Sequence, residues 1–179
     1  MAIYNEQDII KDTLIDVAKK MVVAAVTAPK ARGVSNLVCA IVTDRELQEL
    51  ARTMKEIGER EDNQIFTRDA INVLNQADVV VLFGTKISTI NLVYCGYCGF
   101  QGCSQKKEHP DVPCAFNTGD LGIAIGSAVG VAMDHRVDNR IMYTIGVAAK
   151  EMNLLGDDVP IIYGIPLSAT AKNPFFDRK

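Results

Sequence analysis

Tryptophan is absent from this chain of 179 residues, histidine occurs twice, and aromatic residues make up only 6%. The basic and aromatic pattern of nucleic-acid-binding modules is missing. Neither charge sign is in excess: 19 Lys and Arg stand against 22 Asp and Glu, a net charge of −3 with a pI near 5.4. That balance draws neither nucleic acid nor anionic lipid. No charge-free apolar run approaches the ~20 residues needed to span a bilayer; the longest covers residues 121–133. No basic segment followed by an apolar stretch opens the chain, so a cytoplasmic protein is expected, with no membrane partner. His109 and His135 stand too far apart for an H-E-x-x-H zinc helix. The phosphate loop G-x-x-x-x-G-K-[ST], the dinucleotide fingerprint G-x-G-x-x-G and the hydrolase elbow G-x-S-x-G are all missing.

What is present is an ordinary globular composition, 48% apolar and 23% charged, of a length that fits one domain over 1–179. Asn5 is expected to cap a first helix with Ile9, Ile10, Leu14, Val17, Ala18, Met21, Val22 and Ala25 on one face. Pro29 and Gly33 interrupt it. Residues 37–42 (LVCAIV) predict a strand covered on both faces. Thr43 and Glu46 have capping-box spacing and open a helix bearing Leu47, Leu50, Ala51, Met54 and Ile57, ending near Gly58. Thr67 is expected to cap a shorter helix running to Leu74, and residues 79–83 (VVVLF) predict a second buried strand. Residues 84–113 lack periodicity and are rich in Gly and Cys, as in an irregular insertion organised by a cofactor. Further helices are expected over 120–133 and 140–155, the latter capped by Asp138 or Asn139. A third strand over 159–163 should end at Gly164 and Pro166. Helices around a few strands, without regular β–α alternation, point to an α+β fold.

Five cysteines in a reducing cytosol are not expected to be disulfides. Cys39 falls inside the first strand and reads as a small hydrophobe. The other four, Cys95, Cys98, Cys103 and Cys114, form C-x2-C-x4-C-x10-C within a cysteine-rich segment, residues 94–115. Four thiolates complement either a [4Fe–4S] cluster or a tetrahedral zinc. A single C-x-x-C knuckle, where structural zinc sites usually pair two, favours the cluster. So do Gly96, Gly99 and Gly102, which allow a tight loop with its N–H groups turned toward sulfur. A Cys3His zinc site using His109 in place of Cys114 stays open.

Gly122, Gly126 and Gly130 recur every four residues in the helix expected over 120–133. Each costs ~1 kcal/mol of helix propensity relative to alanine. Their smooth face suits a cofactor, the same helix of a second copy, or tight packing within the chain, and the helix is expected at the centre of the molecule. Arg136 and Arg140, in a polar cluster between two helices, and Lys30 and Arg32, in the Ala-Pro loop, are candidate contacts for an anion or a flavin phosphate. The bland alternative for the cluster with Arg136 and Arg140 is a solvated connection with a capping Asp. Lys106 and Lys107 could steer an acidic redox partner or simply keep their loop soluble.

The string C-G-x-C-G-x-x-x-C at 95–103 resembles the four-iron four-sulfur domain of the B subunit of Rnf-type electron-transport complexes and of corrinoid iron–sulfur proteins, although the gap to Cys114 is shorter here. The chain as a whole is similar to an uncharacterised prokaryotic family described as containing a ferredoxin domain. That likeness rests on ARGV at 31–34 with Asn36, FTRDA at 66–70, DLGIA at 120–124, DNRIM at 138–142, and Lys172 with Asn173. A fainter likeness concerns the scaffold. Residues 24–50 resemble the flavin nitroreductase segment in which an Ala-Pro-Ser loop leads into a strand and a helix, and residues 164–166 echo that superfamily's late Gly-Tyr-Pro. This implies a three-layer α+β homodimer with flavin mononucleotide (FMN) between subunits. The chain departs from it by lacking the Arg-Arg-Ser motif that grips the flavin phosphate and by placing Lys30 where that loop has serine. Together these features predict an electron-transfer protein holding one [4Fe–4S] cluster through Cys95, Cys98, Cys103 and Cys114. An FMN-dependent oxidoreductase, or a zinc-stapled protein without redox chemistry, is the alternative.

Overall fold

β2 (Val79–Thr85) is buried at every position and organises the molecule. The structure, a computed structural model, describes residues 3–176. Side chains of a strand alternate between its two faces: Val80 and Leu82 enter one core, while Val79, Val81 and Phe83 enter the other. β1 (Leu37–Thr43) pairs antiparallel with β2 on one side, Leu37 opposite Thr85. β4 (Ile161–Ser168) pairs antiparallel on the other, Val79 opposite Leu167, and the two-residue β3 (Asp138–Asn139) borders β4. The order is β1-β2-β4-β3.

Helices cover both faces. α2 (Asp44–Arg60), α3 (Gln64–Gln76) and α6 (Tyr143–Glu151) close the core around Leu50, Met54, Val73 and Ile145. α1 (Glu6–Thr27) and α5 (Ala115–Asp134) lie along each other over the opposite face, around Leu14, Met21, Ala124 and Ala128. A short helix, α4 (Cys103–Lys107), interrupts the stretch between β2 and α5. The result is the expected three-layer α+β arrangement.

Several expectations hold residue by residue. Asn5 caps α1, its Oδ1 accepting from Asp8 N–H at 2.9 Å, and the five apolar residues assigned to α2 are all buried. Others are corrected. β1 is an edge strand and only half buried, because among the described residues nothing pairs with its outer side. Thr43 heads α2 without a side-chain cap bond; Asp44 enters the helix from the left-handed region (φ 52) and its carboxylate pairs with Lys11 at 2.7 Å. α3 starts before Thr67 because Asn63 Oδ1 accepts from Ile65 N–H at 3.0 Å. α5 begins five residues earlier than expected, with Cys114 as its N-cap. Asp138 and Asn139 form β3 rather than a helix cap, so α6 begins only at Tyr143.

β4 runs through Gly164 and Pro166 instead of stopping there. Gly164 N–H bonds Met142 C=O, away from β2, so by the two-residue period Pro166 turns its nitrogen to the same side. The β3 ladder has a gap there, and the missing N–H leaves no partner unsatisfied. α6 then lies almost on the β4 backbone: a Cβ at Gly146 would sit 1.7 Å from Ile162 O.

Candidate metal centre in the cysteine segment

Cys95 and Cys98 occupy a turn closed by Gly99 N–H donating to Gly96 C=O at 2.9 Å, with Gly99 at φ 85, where a Cβ would be strained. Cys103 opens α4, its thiol donating to Leu92 C=O at 3.7 Å. Cys114 is buried at the start of α5, whereas the other three are half buried. Two ring stacks fold this stretch back on itself. Tyr97, inside the C-x-x-C knuckle, stacks on Phe116 of α5 with centroids 5.9 Å apart and planes at 16°. Phe116 follows Cys114 by two positions, so the stack lays the knuckle against the turn that carries the fourth thiol. Phe100 stacks on His109 at 4.9 Å and 13°. Among the described residues, no three His, Cys, Asp or Glu side chains are grouped as a metal would require. The four sulfurs share one folded-back segment without closing on a single point.

By donor chemistry alone the set fits a metal or cluster, since all four are thiols on turns and a helix start. Lys106, three residues after Cys103 on α4, keeps 2% of its surface. Lys106 therefore cannot serve as a surface lysine for a partner; only Lys107 of that pair is exposed.

The segment is anchored from below by contacts that the spacing of the cysteines did not reveal. Arg32, at φ 56, donates to the carbonyls of Ile90 (3.0 Å) and Asn91 (3.3 Å). Asn117, buried on α5, accepts from Ser88 N–H at 2.8 Å, and Asp120 accepts from Ala31 N–H at 3.0 Å. Lys30 spends its ammonium on the carbonyls of Ala25, Val26 and Ala28, at the C-terminal end of α1. Arg140 donates to Phe175 C=O at 2.7 Å and lies over the Phe176 ring. Arg136 is exposed, at φ 61 just past α5. The four candidate anion residues are thus not one site. Ala31 N–H is bonded to Asp120 in α5, and Arg136 stands sixteen residues further on, past the helix end, about 24 Å along the axis at 1.5 Å rise per residue.

A cavity of about 410 Å³ opens beside the knuckle, between Pro29, Tyr97, Phe116, Gly119 and Ile123. Of the α5 glycines only Gly119 borders it; Gly122 and Gly126 line a second cavity, with Ile125, Ile141 and Tyr163. A Cβ at Gly119, Gly122, Gly126 or Gly130 would meet nothing within 4 Å, so these glycines do not serve packing within the chain, and α5 lies in an outer layer rather than at the centre. His135 accepts from Lys20 through Nε2 (3.1 Å) while Nδ1 donates to Val131 C=O (2.9 Å), which makes it part of the α1–α5 junction.

This layered arrangement is the nitroreductase fold. The chain resembles the nitroreductase CinD from Lactococcus lactis, solved in complex with nicotinic acid (TM-score 0.62, 14% identity, 99% of this chain and 84% of that one). It also resembles the hypothetical oxidoreductase YcnD from Bacillus subtilis (TM-score 0.53, 15% identity, 88% of this chain), of whose length it spans only 58%. Residues 110–178 match the family described as "Uncharacterized protein containing a ferredoxin domain (DUF2148)". An uncharacterized protein of Archaeoglobus fulgidus is 39% identical over 97% of this chain and 96% of its own. The chain belongs to that family. Of the four cysteines, only Cys114 lies within the matched residues.

Proposed function

We propose that this is a cytoplasmic iron–sulfur electron-transfer protein, holding one [4Fe–4S] cluster through Cys95, Cys98, Cys103 and Cys114 on a nitroreductase-like scaffold. The observation that carries the reading is the Tyr97–Phe116 stack, which brings the knuckle to the helix start bearing Cys114. Membership of a family described as containing a ferredoxin domain supports it. No helix among the described residues is long and apolar enough to cross a membrane, which agrees with a cytoplasmic place. When bound, the cluster supplies one-electron transfer. The chain's own part is to present four thiolates, bury Cys114 and rigidify the approach through the Arg32 and Asn117 anchors. The expected form is a homodimer, supported by the open glycine face of α5 with Ile123 and Met133 exposed along it. Protein purified without oxygen should be brown and should bleach with dithionite. A colourless chain with one tightly bound zinc, indifferent to dithionite, overturns this in favour of a zinc-stapled protein.

The cavity beside Tyr97 supports a second reading, an oxidoreductase in which a flavin lies next to the cysteine segment. Its apolar walls suit a flat ring. The phosphate fits less well, because Lys30 and Arg32 are committed to backbone carbonyls and Arg136 stands at the far end of α5. Added FMN that co-elutes with the chain on gel filtration supports this reading; FMN that elutes entirely free rules it out.

A further inference from the structure

We propose that a small internal cavity at the base of the cysteine segment is the site of one bound water molecule that joins Asn36, Asn117, Thr85 and Asp120. About 10 Å³ of it is open to the centre of a water-sized sphere, room for one water and for nothing organic. Besides two leucines, Lys30, Asn36, Thr85, Asn117 and Asp120 line it. Asn117 keeps 1% of its surface, and the Nδ2 atoms of both Asn36 and Asn117 are covered and have no hydrogen-bond partner among the described residues. Buried N–H groups without an acceptor are rare in native proteins, and here two belong to residues of one cavity. The orientation of Asn117 is fixed: its Oδ1 accepts from Ser88 N–H at 2.8 Å, so turning the amide over would break that bond.

The same cavity supplies the opposite valence. Thr85, 2% exposed, donates its hydroxyl to Lys86 C=O at 3.1 Å and keeps its lone pairs, and Asp120 uses Oδ2 for Ala31 N–H while its carboxylate has further lone pairs. A ligand that accepts from the two amides and donates to the two oxygens closes all four valences, which is what water does. An anion fits worse. Lys30 spends its ammonium on the carbonyls of Ala25, Val26 and Ala28, and Asp120 repels negative charge. Three segments are tied at this point: Lys86 N–H, just past β2, donates to Asn36 C=O at 3.0 Å, Ser88 N–H to Asn117, and Ala31 N–H of the Ala-Pro loop to Asp120. The water thus fastens the start of the cysteine segment to β1 and α5, with or without a metal bound.

The test is made by NMR on the full chain. Rotating-frame spectra separate contact with water from proton exchange by the sign of the cross-peak. The side-chain amide protons of both Asn36 and Asn117 should show contact peaks at the water frequency. Asn36→Leu removes one of the water's donors while leaving the Asn117–Ser88 bond in place. It should speed hydrogen exchange at the Ser88 amide about tenfold, as for loss of one hydrogen bond, while the amide of Val81 in the middle of β2 keeps its rate. Contact peaks missing from either asparagine overturn the proposal, and so does an unchanged Ser88 rate in a folded Asn36→Leu chain. A bromide ion found in this cavity by its anomalous signal in soaked crystals also overturns it, since the site would then take an anion. If Asn36→Leu does not fold, the water contacts of the unmodified protein decide alone: present on both asparagines they support the site, absent they refute it.

Discussion

Cys39 lies on β1 against the α1/α5 core, where loss of hydration pushes its thiol up to about 11, partly countered by Lys30. The thiolate is the reactive form, so in the metal-free protein iodoacetamide at pH 8 should leave Cys39 unmodified until the chain unfolds, which peptide mass spectrometry checks directly. The linkage sign follows from the same shift. The unfolded thiol ionises near 9.0 and the folded one later, so this contribution to stability is complete below pH 9 and is lost as pH rises toward 11. Rapid labelling of Cys39 in the folded chain would contradict that burial. Its role was legible from sequence, because a cysteine inside LVCAIV has only apolar neighbours. The burial of Lys106 was not: the string Gln105, Lys106, Lys107, Glu108 reads as solvated, yet in the fold Lys106 keeps 2% of its surface.

At the level of elements, strong periodicity was a reliable guide and boundaries were not. The buried faces of α1 and α2 and the run of β2 follow directly from apolar spacing. The polar caps went astray where tertiary contacts won: Asp44 turned to Lys11, Asn63 replaced Thr67 as a cap, and Asp138 and Asn139 were drawn into pairing with Leu167 and Ser168. Pro166 was read as a stop because proline usually ends a strand, yet it sits where no ladder bond is required. The α6–β4 contact gives this scale its own prediction. Gly146→Ala places a methyl against Ile162 O and forces α6 off the sheet, which should cost about 3 kcal/mol. Thermal melting measures it; a Tm within a degree of the unmodified protein's would show that α6 does not approach β4 this closely.

For the molecule as a whole, a sheet buried on both faces supports a long excursion between β2 and α5 that carries four of the five cysteines. The scaffold's class was readable from the Ala-Pro loop and the strand that follows it. The assembly of the site was less so, because aromatic stacking between Tyr97 and Phe116 and the clamp from Arg32 join residues far apart in sequence. The same distance effect separates the four cations that looked like one anion-binding set, since a twenty-residue helix stands between Arg32 and Arg136. On this account the excursion is tied down at its base and awaits an inorganic core at its tip. Quantifying iron and acid-labile sulfide per chain in protein prepared under strict exclusion of oxygen tests that most directly. About four of each per chain is the result predicted by one [4Fe–4S] cluster; a chain free of both, or bearing a single zinc, contradicts it.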